Sequence, residues 1–243
     1  MVRRLALASW LFLTPAVCAS QSLNLHVIDV EGGQATLIVS PSGQSMLVDT
    51  GWPLNGRDAE RIAAAIKRAG VGTLDYLVIT HYHDDHVGGM EQLASRVKFR
   101  TVITHGPTTE TSRAATIATA TFQNAMAASG AKEIVVRPGD TIPLKGIDVK
   151  VLASNRQLIG TPLPGAGLAN PLCEGAVQRR ADTSDNSASV GMLLTFGAFR
   201  FLDLGDLTQD LEHQMACPVN RIGEVDLYLT THHGSGQSNA AVL

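Results

Sequence analysis

The sequence has few charged residues and no excess of basic ones, which argues against one large class of function. Lys, Arg, Asp and Glu make up 17% of the 243 residues, and the formal net charge is -3. Proteins that bind nucleic acid by general electrostatic attraction usually carry a clear excess of Lys and Arg. The charge therefore does not indicate a nucleic-acid partner, although it leaves a local basic groove open.

Three further features are missing, and each absence argues against a type of segment or site. After the first twenty residues, no apolar run approaches the roughly 18 residues of a membrane helix, so we expect no membrane association of the mature chain. There is no CxxC pair, which makes a cysteine-based zinc knuckle unexpected. There is also no GxSxG sequence, the strand-to-helix turn that carries a serine nucleophile.

The N-terminus has the pattern of a secretory signal. "MVRR" supplies positive charge, "LALASWLFLTPAV" supplies a short apolar stretch, and Val17 and Ala19 fit a cleavage after Ala19. We therefore expect residues 1–19 to be a signal peptide, residues 20–243 to form one domain, and the mature protein to be periplasmic or secreted. An uncleaved anchor is the alternative.

Two cysteines remain after that segment, Cys173 and Cys217. In an oxidising compartment they can form a disulfide, and they can equally be two buried free thiols. The sequence leaves both alternatives open.

Apolar periodicity predicts a strand-rich chain with interspersed helices. "LNLHVIDV", "ATLIVS" and "SMLVDTG" alternate between turn residues, which predicts a meander of antiparallel strands. Spacings of three and four predict a helix over 57–69 that ends at Gly70. Further helices are predicted from Val87 through Leu93, within 109–129, and over 208–216.

The remaining strands are predicted at "DYLVIT", "FRTVITH", "KEIVVRPGD", "GIDVKVLA" and "VDLYLTTHHGS", and "SASVGMLLTF" with "FRFLDLGD" should form a hairpin around Gly197. Residues 154–186 are dense in Pro and Gly and have no apolar period. They predict a long ordered loop or lid and not a domain boundary, because strands of the same composition resume afterwards.

The stretch "HYHDDH" holds three histidines and two aspartates within residues 81–86, directly after a predicted strand. In an extended segment, His81 and His83 point to the same side and can share one metal ion. Asp85 and His86 follow where the chain must turn, and they can face a second ion. Imidazole and carboxylate suit zinc or a similar divalent ion, whereas a solvated turn has no need of three histidines.

"HYHDDH" resembles the HxHxDH motif of the metallo-β-lactamase superfamily, and "VDTG", "FLDLGD" and "LYLTTHHGS" resemble its other motifs in the same order. The resemblance extends over nearly all of the mature chain. "DNS" at 185–187, taken together with "HHGS", most resembles the branch that contains the nuclease-like domain of the competence protein ComEC. The resemblance implies a four-layer αββα sandwich with two mixed sheets face to face.

The resemblance also implies roles for individual residues. His81 and His83 would hold a first ion, Asp85 and His86 a second one, and Asp206 would bridge them. For the histidine of the last motif we expect His232 to be the ligand and His233 to contact substrate. The implied metal ligands are His81, His83, Asp85, His86, Asp185, Asp206 and His232, and the implied catalytic residues are Asp85, Asp206 and His233. Asp49 of "VDTG" would orient the histidine loop, and its alternative role is to cap a turn.

The sequence departs from the lactamase pattern at the third ligand of the first ion. Only His105 lies between His86 and Asp206, and it comes too early, so we interpret it as a rim or structural residue. In the ComEC-like branch the place falls on Asp185, with Asn186 behind it, and the alternative is that "DNS" is a simple turn. An oxygen ligand there shifts the metal preference from zinc somewhat towards manganese or magnesium.

A second departure is that the sequence ends at Leu243, ten residues after the histidine pair. Members of the superfamily usually continue through another strand and helix. We therefore expect the sandwich to lack its last C-terminal elements.

The implied cofactor is a pair of divalent ions, with zinc preferred and manganese or magnesium as alternatives, and the implied reaction is hydrolysis. The favoured function is an exported hydrolase of a phosphodiester or a related ester. One alternative is a lactam or lactone hydrolase of the same fold. Another is a binding or sensing protein with this fold and no turnover.

Overall fold

The structure is a computed structural model that describes residues 22–243, so the predicted signal peptide lies outside the described residues. The described residues form two β-sheets that face each other, with helices against their outer faces. Within residues 22–243, no helix is both long and apolar enough to cross a membrane.

The first sheet has six strands in the order β1-β2-β3-β4-β5-β6. The first three form the antiparallel meander that the alternating sequence predicted, and the next three each add in parallel. Parallel addition places the carboxyl ends of β3, β4 and β5 at one edge of the sheet, where sites are commonly built. The strands are β1 (Asn24–Val27), β2 (Thr36–Val39), β3 (Ser45–Val48), β4 (Leu74–Val78), β5 (Phe99–Thr104) and β6 (Lys132–Val135).

The second sheet has five strands in the order β11-β10-β9-β7-β8. The predicted hairpin around Gly197 is confirmed by the antiparallel pairing of β9 with β10. The last strand, β11, pairs in parallel with β10, so the two segments that follow these strands leave the sheet at the same edge. The strands are β7 (Asp148–Ser154), β8 (Gln157–Leu158), β9 (Gly191–Phe196), β10 (Phe199–Asp203) and β11 (Leu227–Leu229).

The helices agree with the predictions except after the histidine motif. The helix predicted from Val87 through Leu93 is two short helices, and the first begins at Asp84, so that His86 lies within it. The helix is interrupted between them at Gly88 and Gly89, which pack closely against backbone. A Cβ on Gly89 would lie 2.2 Å from the carbonyl oxygen of Thr50. The helices are α1 (Arg57–Arg68), α2 (Asp84–Val87), α3 (Met90–Ala94), α4 (Arg113–Ser129) and α5 (Gln209–Ala216).

Apolar packing divides the described residues into three layers of core. Between the sheets, Met46 and Val78 of the first sheet belong to one cluster with Met192 and Phe201 of the second. Helices α1, α3 and α4 cover the outer face of the first sheet, and α5 covers the outer face of the second. This arrangement confirms the predicted αββα sandwich. The expectation that the sandwich lacks its last C-terminal elements stays a prediction.

The Pro- and Gly-rich segment after β7 is an ordered loop, as predicted. It packs along the segment after α5, where the N–H of Leu163 donates to the carbonyl of Arg221 (2.9 Å) and the N–H of Asn220 donates to that of Leu168 (3.0 Å). Cys173 in this loop forms a disulfide with Cys217, with 5.8 Å between the Cα atoms. The structure thereby decides between the disulfide and the two free thiols that the sequence left open.

Candidate metal centre

The histidine motif lies at the carboxyl end of β4, between the two sheets. His81 is fully buried, and its ring centroid lies 4.7 Å from that of His83 and 4.1 Å from that of His86. The alternation predicted for an extended segment is confirmed, since Tyr82 packs instead against Phe122 at 5.2 Å between ring centroids. Three imidazoles therefore converge on one side of the motif.

The second sheet brings three more groups to the same place. Asp206 follows the end of β10, and His232 and His233 follow the end of β11. Because β10 and β11 are parallel neighbours, their carboxyl ends deliver these side chains together, opposite the histidine motif. The site is thus assembled from both sheets, which the order of the motifs along the chain could not show.

Four side chains form a compact set of donors: ligand atoms of Asp85, His86, Asp206 and His233 all lie within 4.8 Å of one another. The Nε2 atom of His86 lies 3.2 Å from Nε2 of His233 and 3.3 Å from Oδ1 of Asp206. Nε2 of His233 lies 3.1 Å from Oδ2 of Asp85. Two imidazoles and two carboxylates at such distances are a ligand set suited to a divalent ion such as zinc.

The structure places His233, and not His232, in this four-residue set, which reverses the order we expected from the sequence. His232 is close by, with Nε2 3.5 Å from Oδ2 of Asp206, while its Nδ1 lies 3.2 Å from the hydroxyl of Ser238. Both histidines have a left-handed backbone with φ of 52°. This rarely populated conformation lets two consecutive side chains turn towards one carboxylate, and sequence periodicity does not reveal it.

Asp206 is the centre of the arrangement. Its Oδ2 atom lies 3.9 Å from Nε2 of His81 and 3.6 Å from Nε2 of His233, while Oδ1 faces His86. Its position between the motif and the last histidines agrees with the predicted bridging role.

Two buried polar atoms at this point, Oδ1 of Asp206 and Nε2 of His81, find no hydrogen-bond partner within residues 22–243. Leaving such groups unpaired costs about 1–3 kcal/mol each. Coordination of each atom to a cation would remove that cost, so the residues present fit a metal centre.

For His81 and Asp206 the electrostatics agree with this interpretation, whereas for His86 burial lowers the pKa but is outweighed by Asp206 and Asp49, which raise it well above the ordinary value. Burial lowers the pKa of His81 well below its ordinary value, and the neighbouring imidazoles lower it further, so His81 is neutral with a lone pair free to coordinate. Burial opposes ionisation of Asp206, but the nearby His86 and His233 outweigh it and hold the pKa of Asp206 below the ordinary value. One neutral imidazole and one ionised carboxylate are the forms that metal ligands require.

Asp49 contacts the motif in the way that the sequence predicted. It is fully buried at the end of β3, and its Oδ2 lies 2.7 Å from Nδ1 of His86. The backbone N–H of Thr80 donates to Oδ1 at 2.8 Å, and the Thr80 hydroxyl donates to Oδ2 at 2.7 Å. A carboxylate on Nδ1 leaves Nε2 of His86 directed at the donor set, which is how ligand histidines are commonly oriented.

Asp185 is not brought into the donor set, contrary to the predicted ligand role. Its carboxylate is buried and accepts the N–H of Tyr82 (2.8 Å) and the hydroxyl of Thr108 (2.5 Å), and it lies 3.3 Å from Nε2 of His105. Both oxygens are thus occupied by groups of the chain. His105 is 2% exposed, so it is the structural residue and not the rim residue of the two interpretations.

We expect Asp185→Ala to affect stability more than metal content. The change leaves His105 and the N–H of Tyr82 without a partner, and breaking a buried pair of this kind costs about 3–5 kcal/mol. Urea denaturation measures this loss, and elemental analysis of the folded variant should find as many ions as in the wild type. Asp182→Ala, in the same loop, is the control. A variant of unchanged stability that lacks one ion would restore Asp185 as a ligand.

Sequence reasoning missed two residues that contact the site. Ser189 lies two residues after the "DNS" stretch, and its hydroxyl accepts the N–H of Asp206 at 3.2 Å. Glu110 precedes α4, and its Oε1 lies 3.4 Å from Nε2 of His83. Neither residue belongs to a recognisable motif, and only the packing of distant loops brings them to the centre.

Comparisons with known proteins agree with this geometry. Residues 28–175, more than half of the chain, match the metallo-beta-lactamase superfamily. A hydroxyacylglutathione hydrolase of Acidiphilium cryptum (strain JF-5) is 29% identical over 123 residues, which are 51% of this chain and 40% of that protein. A beta-lactamase-like protein 2 homolog of Caenorhabditis elegans is 32% identical over 68 residues, which are 27% of this chain and 22% of that protein. The matched regions thus cover less than half of either relative.

A motif mutant of a Cronobacter sakazakii metallo-beta-lactamase is one of the similar solved structures, with 16% identity and a TM-score of 0.48. The similarity covers 84% of this chain and 75% of that one. The superfamily match includes β2, β3, Asp49 and the complete "HYHDDH" motif. The chain therefore belongs to the metallo-beta-lactamase superfamily.

Proposed function

We propose that this chain is a metal-dependent hydrolase with two divalent ions in one centre. His81, His83 and Asp206 would hold the first ion, and Asp85, His86, Asp206 and His233 would hold the second, with His232 beside the shared carboxylate. The observation that carries this proposal is the position of Asp206. Its two oxygens face different sets of histidines, Oδ1 towards His86 and Oδ2 towards His81, His232 and His233, so one carboxylate can serve two adjacent ions.

When bound, the ion pair supplies Lewis acidity that brings the pKa of a water towards neutrality and compensates the negative charge that develops on the substrate. The chain's own residues supply the rest. Asp206 sets the separation of the two positions, and Asp49 fixes the ring of His86. His232 and His233 are 17% and 28% exposed at their side chains, so they are the groups of the centre from the second sheet that an arriving substrate can contact.

A phosphodiester or a related ester is the substrate class that we favour. The support is the ComEC-like combination of "DNS" with "HHGS", together with the location of the first of these stretches. Residues 185–188 form a short 3-10 turn of buried residues beside the centre, and the buried Oδ1 of Asn186 has no partner within the described residues.

The partner in this proposal is a small molecule or a phosphodiester. A lactam or lactone substrate is the first alternative, and a hydroxyacylglutathione is a second one, suggested by the name of the Acidiphilium cryptum relative. The third alternative is a protein that binds a ligand without turnover. The intact set of metal donors argues against the third alternative.

We also propose export to the periplasm or medium. The disulfide between Cys173 and Cys217 supports this proposal, because disulfides persist in oxidising compartments and are rare in the cytosol. The pattern of residues 1–19 supports it independently.

Metal analysis and a substrate panel test the function. We expect two divalent ions per chain and hydrolysis of bis-p-nitrophenyl phosphate, which stops on chelation and returns when zinc or manganese is added back. A chromogenic lactam, a lactone and a hydroxyacylglutathione complete the panel, with protein stripped of metal as the control. Turnover of only one of these three would replace the phosphodiester assignment, and bound metal with no turnover of any substrate would contradict catalysis.

A further inference from the structure

We propose that Glu110 is the positioning residue of the first ion, because its carboxylate determines which nitrogen of His83 faces the metal. The inference rests on the proposed binuclear centre. It concerns one hydrogen bond of the chain itself, between Oε1 of Glu110 and Nε2 of His83, whose atoms lie 3.4 Å apart. An imidazole nitrogen that donates to a carboxylate cannot also coordinate an ion, so the other nitrogen, Nδ1, is left for the metal.

Glu110 is itself held in place, which distinguishes it from a mobile surface carboxylate. Its Oε1 accepts the backbone N–H of Asp185 at 2.6 Å, and its own N–H donates to the hydroxyl of Thr108 at 3.1 Å. Its side chain is 21% exposed and that of His83 is 33% exposed. The carboxylate therefore approaches His83 from a fixed direction.

The chain contains a second carboxylate–histidine pair, in which the carboxylate contacts Nδ1 of the ring instead of Nε2. Asp49 lies 2.7 Å from Nδ1 of His86, and Nε2 of His86 is the atom directed at the donor set. In the Glu110 pair the carboxylate lies at Nε2 of His83 instead. The two histidines would thus coordinate through different nitrogens, each selected by its own carboxylate partner.

The loop that carries Glu110 is connected to the motif through Asp185. Thr108 donates to one oxygen of Asp185, and the N–H of Tyr82 donates to the other. Tyr82 lies between His81 and His83 in the sequence. The buried carboxylate of Asp185 therefore joins the loop after β5 to the backbone of the motif, and Glu110 at the end of that loop reaches the ring of His83.

The experiment uses the full-length protein with Glu110→Ala and Glu110→Gln. Glu133→Gln is the control. Glu133 lies on β6, and its carboxylate accepts from the hydroxyl of Thr104 instead of contacting a histidine. Asp49→Asn is the positive control. The first measurement is the affinity for zinc by competition with a chelator. The second is the tautomer of His83 in the metal-free protein, from the nitrogen chemical shifts of its ring.

In the wild type we expect His83 to carry its proton on Nε2. Glu110→Ala should shift His83 towards a mixture of tautomers and lower the affinity for one ion by roughly 10- to 100-fold. Two ions should still bind at saturation. Glu110→Gln should lose less zinc affinity, because its amide oxygen still accepts from Nε2 of His83. This variant also provides the test if the Ala variant does not fold. Glu133→Gln should change neither measurement.

Two results would overturn the inference. One is an unchanged tautomer and unchanged affinity in both Glu110 variants, and the other is saturation at a single ion, which would make Glu110 a direct ligand. The tautomer measurement needs no metal and no turnover. If the wild type binds no metal, the proposed function fails, while the nitrogen shifts still test the Glu110–His83 pair.

Discussion

Asp206→Ala should abolish hydrolysis and reduce the metal content more than the loss of any other single side chain. The carboxylate lies among His81, His86, His232 and His233, within 3.9 Å of a ring nitrogen of each. In the proposed binuclear centre, removing it would take one ligand from both ion positions and leave their positive charges uncompensated. The loss of activity should therefore exceed the roughly 10- to 100-fold that removal of a ligand's hydrogen-bond partner produces.

The measurements are the rate on bis-p-nitrophenyl phosphate and the number of ions by elemental analysis. Because the ligands act as a unit, adding His86→Ala to Asp206→Ala should lower the rate little further. Asp203→Asn is the matched control. This aspartate ends β10, accepts from the amide of Gln34 and the N–H of Gly205, and does not belong to the donor set. An Asp206→Ala protein with two ions and near-normal turnover would exclude the shared carboxylate.

Replacing both Cys173 and Cys217 with Ala should lower the free energy of unfolding by about 4 kcal/mol in the chain-entropy description of a cross-link. The disulfide closes a loop between residues 44 apart in sequence, and residues 173–186 of the Pro- and Gly-rich segment lie inside that loop. Without the cross-link, the unfolded chain gains conformational freedom. The folded Pro- and Gly-rich segment keeps hydrogen bonds such as the one that the side-chain amide of Asn170 donates to the carbonyl of Val242 (2.7 Å). Urea denaturation of the purified protein measures the difference.

The wild type provides the control for this prediction. A reductant should lower its stability to that of the double variant and leave the double variant unchanged. The metal content of the folded double variant should stay close to that of the wild type, because neither cysteine contacts the donor set. A wild type that shows no loss on reduction would contradict the expected contribution of the disulfide.

The sequence by itself determined the elements and the chemistry of the site. Alternation and helical spacing are local properties, so they predicted the meander, helices α1 and α5 and the hairpin around Gly197. "HYHDDH" predicted imidazoles on one side of a strand end, because the direction of side chains in an extended segment follows from position alone. The resemblance of the later motifs then implied Asp206, the last histidines and Asp49, all of which the structure brings together.

Tertiary structure decided which of these atoms meet. The donor set includes His233, which together with His232 adopts a left-handed backbone, and Nδ1 of His232 lies 3.2 Å from the hydroxyl of Ser238, five residues further along the chain than His233. Asp185 stays outside the donor set because both of its oxygens contact Tyr82, Thr108 and His105, all of which are distant in sequence. Glu110 reaches His83 and Cys173 reaches Cys217 for the same reason. Contacts between segments far apart in the chain are set by how the two sheets pack, and a local pattern of residues does not contain that information.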